Sequence, residues 1–132
     1  MIIGIGSDIV KVSRIEALLV SYKQRFLHRV FTMAELELFK NIDHQKRLVG
    51  YVAKRFAAKE AFSKAFGTGI GGDISFHDVE IFSEISRKPY FKLSNKLSDI
   101  LKKNYGKAQV HLSMTDEEEY AQAFVIIERV LS

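Results

Sequence analysis

The sequence predicts an α+β fold in which an antiparallel sheet packs against one long helix and several short helices. Short strand-like runs are joined by hairpin-like turns, and helical segments lie between them. One segment, residues 45–66, is long enough to be the dominant helix. The strand–helix–strand repetition of a parallel sheet is absent from the sequence, so the strands are expected to pair antiparallel.

The first predicted strand covers residues 2–10. Alternation places Asp8 and two glycines, Gly4 and Gly6, on one face of this strand. The opposite face carries three isoleucines: Ile3, Ile5 and Ile9. Glycines inside a strand indicate that another backbone or a ligand approaches closely, and the same close approach is expected here.

Three helices are predicted in the first half of the chain. Ser13 is expected to cap a short helix that continues to about Ser21. The segment 32–35 fits a capping box, so a second helix should run to about Lys40. The long helix, residues 45–66, should end at Gly67 and carries a stripe of alanines at i+4 spacing. A helix that is apolar on several sides is usually enclosed by the rest of the fold.

The second half alternates short strands, turns and one helix. Residues 108–115 show the alternation of a half-buried strand, and 121–127 are nearly all apolar, as in a central strand. The remaining predicted elements are a glycine-rich loop at 67–73, strands at 74–85 and 90–93 around a turn at 86–89, and a helix at 95–104.

Length and composition limit the classes of function. The 132 residues predict a single domain, 1–132, and the absence of cysteine excludes disulfides, zinc–thiolate sites and thiol nucleophiles. No apolar run approaches the ~20 residues of a membrane-spanning helix, so a cytoplasmic protein is expected. The net charge of +4 and the pI of about 9.3 suggest an anionic partner: a nucleic acid, a phosphorylated small molecule or an acidic protein.

Two carboxylates are candidates for chemistry. Asp8 follows an apolar strand start, where a partly desolvated carboxylate needs a cation or hydrogen-bond donors. Glu60 and Lys64 share one face of an otherwise alanine-rich helix. A turn aspartate and an exposed helical ion pair are the alternatives for these residues. Magnesium prefers oxygen ligands and commonly binds one or two carboxylates, so Asp8 and Glu60 form a possible metal pair.

Three motifs resemble those of the short bacterial holo-acyl-carrier-protein synthases, a 4′-phosphopantetheinyl transferase family. The first is GIGSDIV at residues 4–10 with a downstream Arg14, and the second is RFAAKEAFSKAFGTG at residues 55–69. The third begins with VHLSMT at residues 110–115 and continues into 120–128. The similarity spans nearly the whole chain, and the second motif is highly specific.

The resemblance implies transfer of 4′-phosphopantetheine from coenzyme A to a serine of apo acyl carrier protein, with release of adenosine 3′,5′-bisphosphate. It also implies a role in fatty acid biosynthesis. Magnesium would be held by Asp8 and Glu60, Glu60 would act as general base directly or through water, and Lys64 would neutralise or protonate the leaving phosphate. Members of this length are typically homotrimers with active sites at subunit interfaces.

Other positions acquire expected roles through the same resemblance. Contacts to coenzyme A are expected at eight of them: Lys46, Arg47, Arg55, Gly67, Ile70, Lys88, Pro89 and Thr115. Three arginines are expected to meet the acidic carrier protein: Arg14, Arg25 and Arg29. One position departs from the family pattern, because Asp116 follows Thr115 where the family usually has histidine. This acidic residue puts nucleotide contact by its segment in doubt.

Two alternatives to an enzyme use the same basic residues. A noncatalytic adaptor could hold an acidic carrier protein on its basic face, and a small nucleic-acid-binding domain could use the same charge. The set of Asp8, Glu60 and Lys64 favours the enzyme, because a binder has no need of carboxylates beside phosphates. The nucleic-acid alternative lacks interleaved aromatic residues, so neither a nucleic acid nor a membrane is expected as a partner.

Overall fold

The computed structural model describes residues 1–131. Its elements, in chain order, are β1 (Ile2–Lys11), α1 (Val12–Val30), α2 (Met33–Phe39), α3 (Gln45–Phe66), β2 (Val79–Ser83), β3 (Pro89–Leu93), α4 (Asn95–Tyr105), β4 (Ala108–Asp116) and β5 (Tyr120–Arg129). A single turn of 3₁₀ helix, Phe76–Asp78, precedes β2. None of the described helices is long and apolar enough to cross a membrane.

The strands form two antiparallel sheets. The larger has the order β1–β5–β4, and the smaller is the β2–β3 hairpin, which contacts the larger sheet through β4. Helix α3 packs across β1 and β5, and its buried residues form much of the core. The predicted α+β fold class with an antiparallel sheet is therefore confirmed, and β5 is the central strand.

Strand β1 lies directly on the backbone of α3. A Cβ atom added to Gly6 would stand 1.9 Å from the carbonyl oxygen of Ala61, and one added to Gly4 would stand 2.1 Å from that of Ala65. Both distances are far below van der Waals contact, so only glycine fits at these positions. The two strand glycines thus mark a close backbone approach, as the sequence indicated, and this approach brings Asp8 to the C-terminal half of α3.

Some predicted boundaries were wrong. The first helical stretch does end near Ser21, where the non-helical dihedral angles of Tyr22 kink α1, but a second helical stretch that was not predicted follows directly and continues to Val30. Its N-cap is Lys11, not Ser13, and no side chain caps it. The strand predicted at 74–85 begins only at Val79, because a Ser–Asp capping box folds the preceding residues into the 3₁₀ turn. A register shift between Ile2 and Gly4 also breaks the expected alternation near the start of β1.

Candidate active site

Asp8 and Lys64 meet where β1 crosses α3. The Lys64 ammonium donates a hydrogen bond to Asp8 Oδ1 at 3.0 Å and another to the carbonyl oxygen of Ser7 at 3.1 Å. The Asp8 side chain is only 18% exposed, whereas that of Lys64 is half exposed. Lys64 therefore compensates a carboxylate that the sheet and helix partly withdraw from water.

Glu60 lies one turn before Lys64 on the same helix and is only partly exposed. Burial, and next the negative charge of Asp8, raise the pKa of Glu60, while Lys64 and Arg14 act in the opposite direction. The effect of Asp8 on this pKa means that the two carboxylates share one electrostatic environment. The structure thus brings together the three residues to which the sequence assigned chemistry.

The donor set of this site suits a hard divalent cation. Two carboxylates that repel each other gain from a cation between them, and magnesium usually completes its shell with water and substrate phosphates. The described part of the chain holds no cluster of three or more histidine, aspartate or glutamate side chains that could bind a metal without such help. Asp8 and Glu60 therefore fit magnesium and do not fit the fully protein-ligated site that zinc prefers.

A groove of about 370 Å³ opens beside Glu60, between α1 and α3. Its walls combine apolar and aromatic side chains with two arginines and a glutamate, and the residues that line it are Arg14, Leu18, Phe26, Arg29, Val30, Phe56, Glu60, Ile70 and Phe76. A second concavity continues along α1 and includes Arg25 as well as Arg29. All three arginines predicted to meet the carrier protein therefore lie along one side of the carboxylate site. We call the first concavity the α1–α3 groove.

Similarity to known proteins decides the family. The family model of the 4′-phosphopantetheinyl transferase superfamily matches residues 4–125. The chain belongs to the 4′-phosphopantetheinyl transferase superfamily. It is 46% identical to the holo-[acyl-carrier-protein] synthase of Bacillus subtilis over 132 residues, which covers 100% of each chain. It is 44% identical to that of Wolbachia pipientis subsp. Culex pipiens over 127 residues, which covers 96% of this chain and 98% of the relative.

Solved transferases share the fold. The holo-[acyl-carrier-protein] synthase of Neisseria meningitidis is 45% identical, with a TM-score of 0.87 over 97% of this chain and 99% of that one. The Helicobacter pylori enzyme in complex with coenzyme A is 32% identical, with a TM-score of 0.80 over 94% and 99% of the two chains. The predicted family, fold and enzyme class are confirmed.

Of the residues expected to contact coenzyme A, Ile70 lines the groove beside Glu60, and the others are distributed over the fold. Lys46 and Arg47 are exposed in the first turn of α3, and Lys46 lies 3.9 Å from Glu118. Glu60 lies thirteen positions after Arg47 on α3, which is about 20 Å along the helix axis. Gly67 forms the left-handed C-cap of α3, and Lys88 and Pro89 lie at the turn of the β2–β3 hairpin. Thr115 is exposed near the end of β4. Within a single chain, Lys46 and Arg47 therefore lie too far along α3 to share one site with Glu60.

Arg55 is placed differently from what the resemblance implies. The side chain is buried, and its guanidinium stacks 3.5 Å from the centroid of the Tyr51 ring. Its Nη1 donates to the Tyr51 carbonyl oxygen at 3.4 Å, and its Nε has no hydrogen-bond partner. Burial lowers the pKa of Arg55. Arg55 thus points into the protein rather than toward a phosphate in the surrounding solvent.

Asp116 has a basic partner. Its Oδ1 lies 3.2 Å from the Lys54 ammonium, and both side chains are about one-third exposed. Its Oδ2 lies 3.0 Å from where a Cβ on Gly50 would stand, so the carboxylate packs against α3. This partner was not predicted from the sequence. The i+4 spacing from Gly50 to Lys54 was the available signal that a small residue and a cation could receive Asp116 together.

Proposed function

We propose that this transferase moves 4′-phosphopantetheine from coenzyme A to a serine of an apo acyl carrier protein and releases adenosine 3′,5′-bisphosphate. The reaction depends on magnesium and takes place in the cytoplasm, where it supplies carrier protein for fatty acid biosynthesis. The observation that carries the proposal is the meeting of Asp8, Glu60 and Lys64 beside a groove that is lined by aromatic side chains and by two arginines, Arg14 and Arg29. Relatives named holo-[acyl-carrier-protein] synthase, one of them solved with coenzyme A, support it.

The residues of the site match the chemistry. The serine oxygen attacks the β-phosphorus of coenzyme A, and the bond from that phosphorus to the oxygen of the departing bisphosphate breaks. Glu60 takes the serine proton directly or through water, and its raised pKa makes the ionised form a stronger base than an ordinary glutamate. Lys64 stabilises the negative charge on the departing phosphate or gives it a proton. Magnesium held by Asp8 and Glu60 would neutralise charge on the pyrophosphate oxygens.

The basic side of α1 receives the carrier protein. Arg14, Arg25 and Arg29 are exposed, and two of them border the α1–α3 groove. Positive charge at the rim steers an acidic protein and speeds the encounter, while the aromatic walls accept apolar side chains from the partner. The carrier serine then approaches Glu60 from the groove side.

A homotrimer completes the active site at its subunit interfaces. The outer face of the large sheet exposes Ile5 (57%), Ile9 (61%) and Phe124 (41%), an apolar cluster that a monomer would leave in water. Arg47 lies about 20 Å along α3 from Glu60, farther than the short ribose linkage between the 3′-phosphate and pyrophosphate of coenzyme A can reach. One coenzyme A therefore engages Glu60 of one subunit and Arg47 of another.

Sedimentation equilibrium should give a trimer, and Ile5→Arg should give a monomer without activity. A fully active monomer would contradict this part.

Residues 1–132 form one transferase domain in this proposal, and a noncatalytic adaptor is the other candidate that the arginine rim favours. The decisive experiment incubates the protein with magnesium, coenzyme A and apo acyl carrier protein and follows the carrier by intact-protein mass spectrometry. We expect a mass increase of one phosphopantetheine. Glu60→Ala should abolish it while the circular dichroism spectrum is preserved, and Glu37→Gln, on the exposed side of α2, serves as the control. Binding of the carrier without any mass change would favour the adaptor.

A further inference from the structure

A buried lysine lies next to the catalytic glutamate in sequence but faces the opposite way. Lys59 is 0% exposed, and its ammonium is enclosed by three oxygen atoms. It donates to Glu35 Oε1 at 2.6 Å, to the carbonyl oxygen of Val30 at 2.7 Å and to that of Phe76 at 3.0 Å. Each bond leads to a different segment, namely α2, the end of α1 and the 3₁₀ turn.

Glu35 extends the same network. Its Oε1 accepts the backbone N–H of Thr32 at 3.1 Å, and its Oε2 accepts the backbone N–H of Ile81 in β2 at 3.0 Å. The side chain is 2% exposed. The Lys59–Glu35 pair therefore ties α1, α2, α3, the 3₁₀ turn and β2 to a single point, and neither side chain reaches the groove or the carboxylate site.

Two of the tied segments form walls of the α1–α3 groove. Val30 and Phe76, whose carbonyl oxygens accept from Lys59, both line the groove beside Glu60. The Phe76 ring packs on Phe56 with centroids 5.7 Å apart, and Phe56 in turn packs on Phe26 at 5.9 Å. A shift of the backbone at Phe76 would therefore also displace the rings of Phe56 and Phe26, which form the aromatic wall that faces the incoming partner.

We propose that the Lys59–Glu35 pair is a positioning element that fixes the shape of the α1–α3 groove and thereby sets the affinity for the carrier protein. A buried ion pair is a weak source of stability, because well-packed apolar side chains often replace it without loss. Lys59, however, uses its donors on two groove-wall carbonyls, which an apolar side chain cannot hold. This inference rests on the proposed function, because the groove is taken to receive the carrier protein.

The test separates charge compensation from positioning. Lys59→Met alone leaves Glu35 buried without a partner, so the main variant is Lys59→Met combined with Glu35→Gln, which removes both charges. We expect this double variant to raise KM for apo carrier protein on the order of tenfold, with KM for coenzyme A within about twofold and kcat within about threefold of wild type. Glu37→Gln, the same change at an exposed position of α2, should leave all three constants unchanged.

Several outcomes would overturn the proposal. If the double variant has the wild-type KM for carrier protein, Lys59 and Glu35 only neutralise each other's charge and do not position the groove. An equal rise in the KM for carrier protein and the KM for coenzyme A would indicate a general structural defect. Should the double variant not fold, Lys59→Gln combined with Glu35→Gln takes its place. This pair also removes both charges, and the shorter amide has two N–H donors where the ammonium has three, so it cannot hold all the oxygens that Lys59 holds. The carrier KM must therefore still rise, and a wild-type value refutes positioning. Absence of transfer by the wild-type protein would refute the proposed function itself, which keeps the two failures distinct.

Discussion

Replacing Gly6 by alanine tests the contact on which the site depends. The added Cβ would lie 1.9 Å from the Ala61 carbonyl oxygen and 2.7 Å from the Ala65 backbone nitrogen. Neither atom can turn away, because both belong to the backbone of α3. Ordinary contact begins at 3.4 Å, so β1 and α3 must separate by about 1.5 Å to admit the methyl group.

The size of the effect follows from that separation. Overpacking in a well-packed core costs about 1–3 kcal/mol, and an overlap with rigid backbone belongs at the upper end, near 3 kcal/mol. For a chain of 132 residues this corresponds to a fall in Tm of roughly 10 °C. Asp8 lies two residues further along β1 and would move away from Lys64. Because a misplacement of about 1 Å can reduce a rate on the order of 100-fold, kcat should fall by that factor.

The assay combines thermal denaturation with steady-state transfer kinetics. Gly72→Ala is the matched control: the nearest atom to its added Cβ would be the Thr68 carbonyl oxygen at 3.9 Å, so the same substitution meets no obstacle there. We expect the control to keep the wild-type Tm within about 2 °C and the wild-type kcat. A Gly6→Ala protein with wild-type stability and turnover would refute the direct backbone contact between β1 and α3.

Three further changes have definite expected results. Glu60→Gln should raise the Tm of the metal-free protein at neutral pH, because burial and then Asp8 raise the pKa of Glu60 and make its charged form unfavourable in the folded state. This increase in Tm should be full above the raised pKa and should vanish below pH ~4.3, the ordinary pKa of glutamate. An increase in Tm that does not depend on pH would contradict this cause. Arg87→Gly should stabilise the protein by about 0.5–1 kcal/mol, because φ is 71° at this non-glycine residue; Arg87→Ala keeps the strain and should show no gain in chemical denaturation. Asp116→Asn frees the ammonium of Lys54 and should tighten binding of adenosine 3′,5′-bisphosphate about two- to fivefold in calorimetry at low salt. The increase in affinity should be smaller at high salt. Weaker binding by the variant would show that the carboxylate is needed.

The elements with strong local signals were predictable. Helix α3 occupies the predicted residues 45–66 and ends at Gly67 with φ 100°, because its apolar pattern and its terminal glycine agree. The capping box at Thr32 is present with both of its hydrogen bonds. The kink of α1 at Tyr22 agrees with the helix end predicted near Ser21, but the helical stretch from there to Val30 was missed. Packing of the second half of α1 against α3 restores the helix, and such tertiary effects leave no local trace.

Burial of charge was not predictable from helix periodicity. Lys59 and Arg55 belong to the same basic run as Lys46 and Arg47, yet the first two are buried and the last two exposed. For Lys59 the difference is a partner outside α3, since it pairs with Glu35, 24 residues away in the chain, whereas Arg55 packs on Tyr51 of the same helix. A pairing at that separation depends on where α2 docks, and the spacing of residues within α3 contains no information about it.

The meeting of Asp8 with Lys64, by contrast, was encoded in the small residues. Two residues of strand advance about 6.8 Å, and four residues of helix advance about 6.0 Å. The spacing of glycines two residues apart on β1 therefore nearly equals the spacing of alanines four residues apart on α3. In the structure Gly4 faces Ala65 and Gly6 faces Ala61. The strand runs against the helix, so the next step along β1 places Asp8 near the turn before Ala61. Glu60 and Lys64 both follow that turn on α3, and helical side chains lean toward the N-terminus, so Lys64 reaches back to Asp8. Strand glycines at i+2 matched to helix alanines at i+4 are thus a pattern in the sequence that places the Asp8 carboxylate beside both residues.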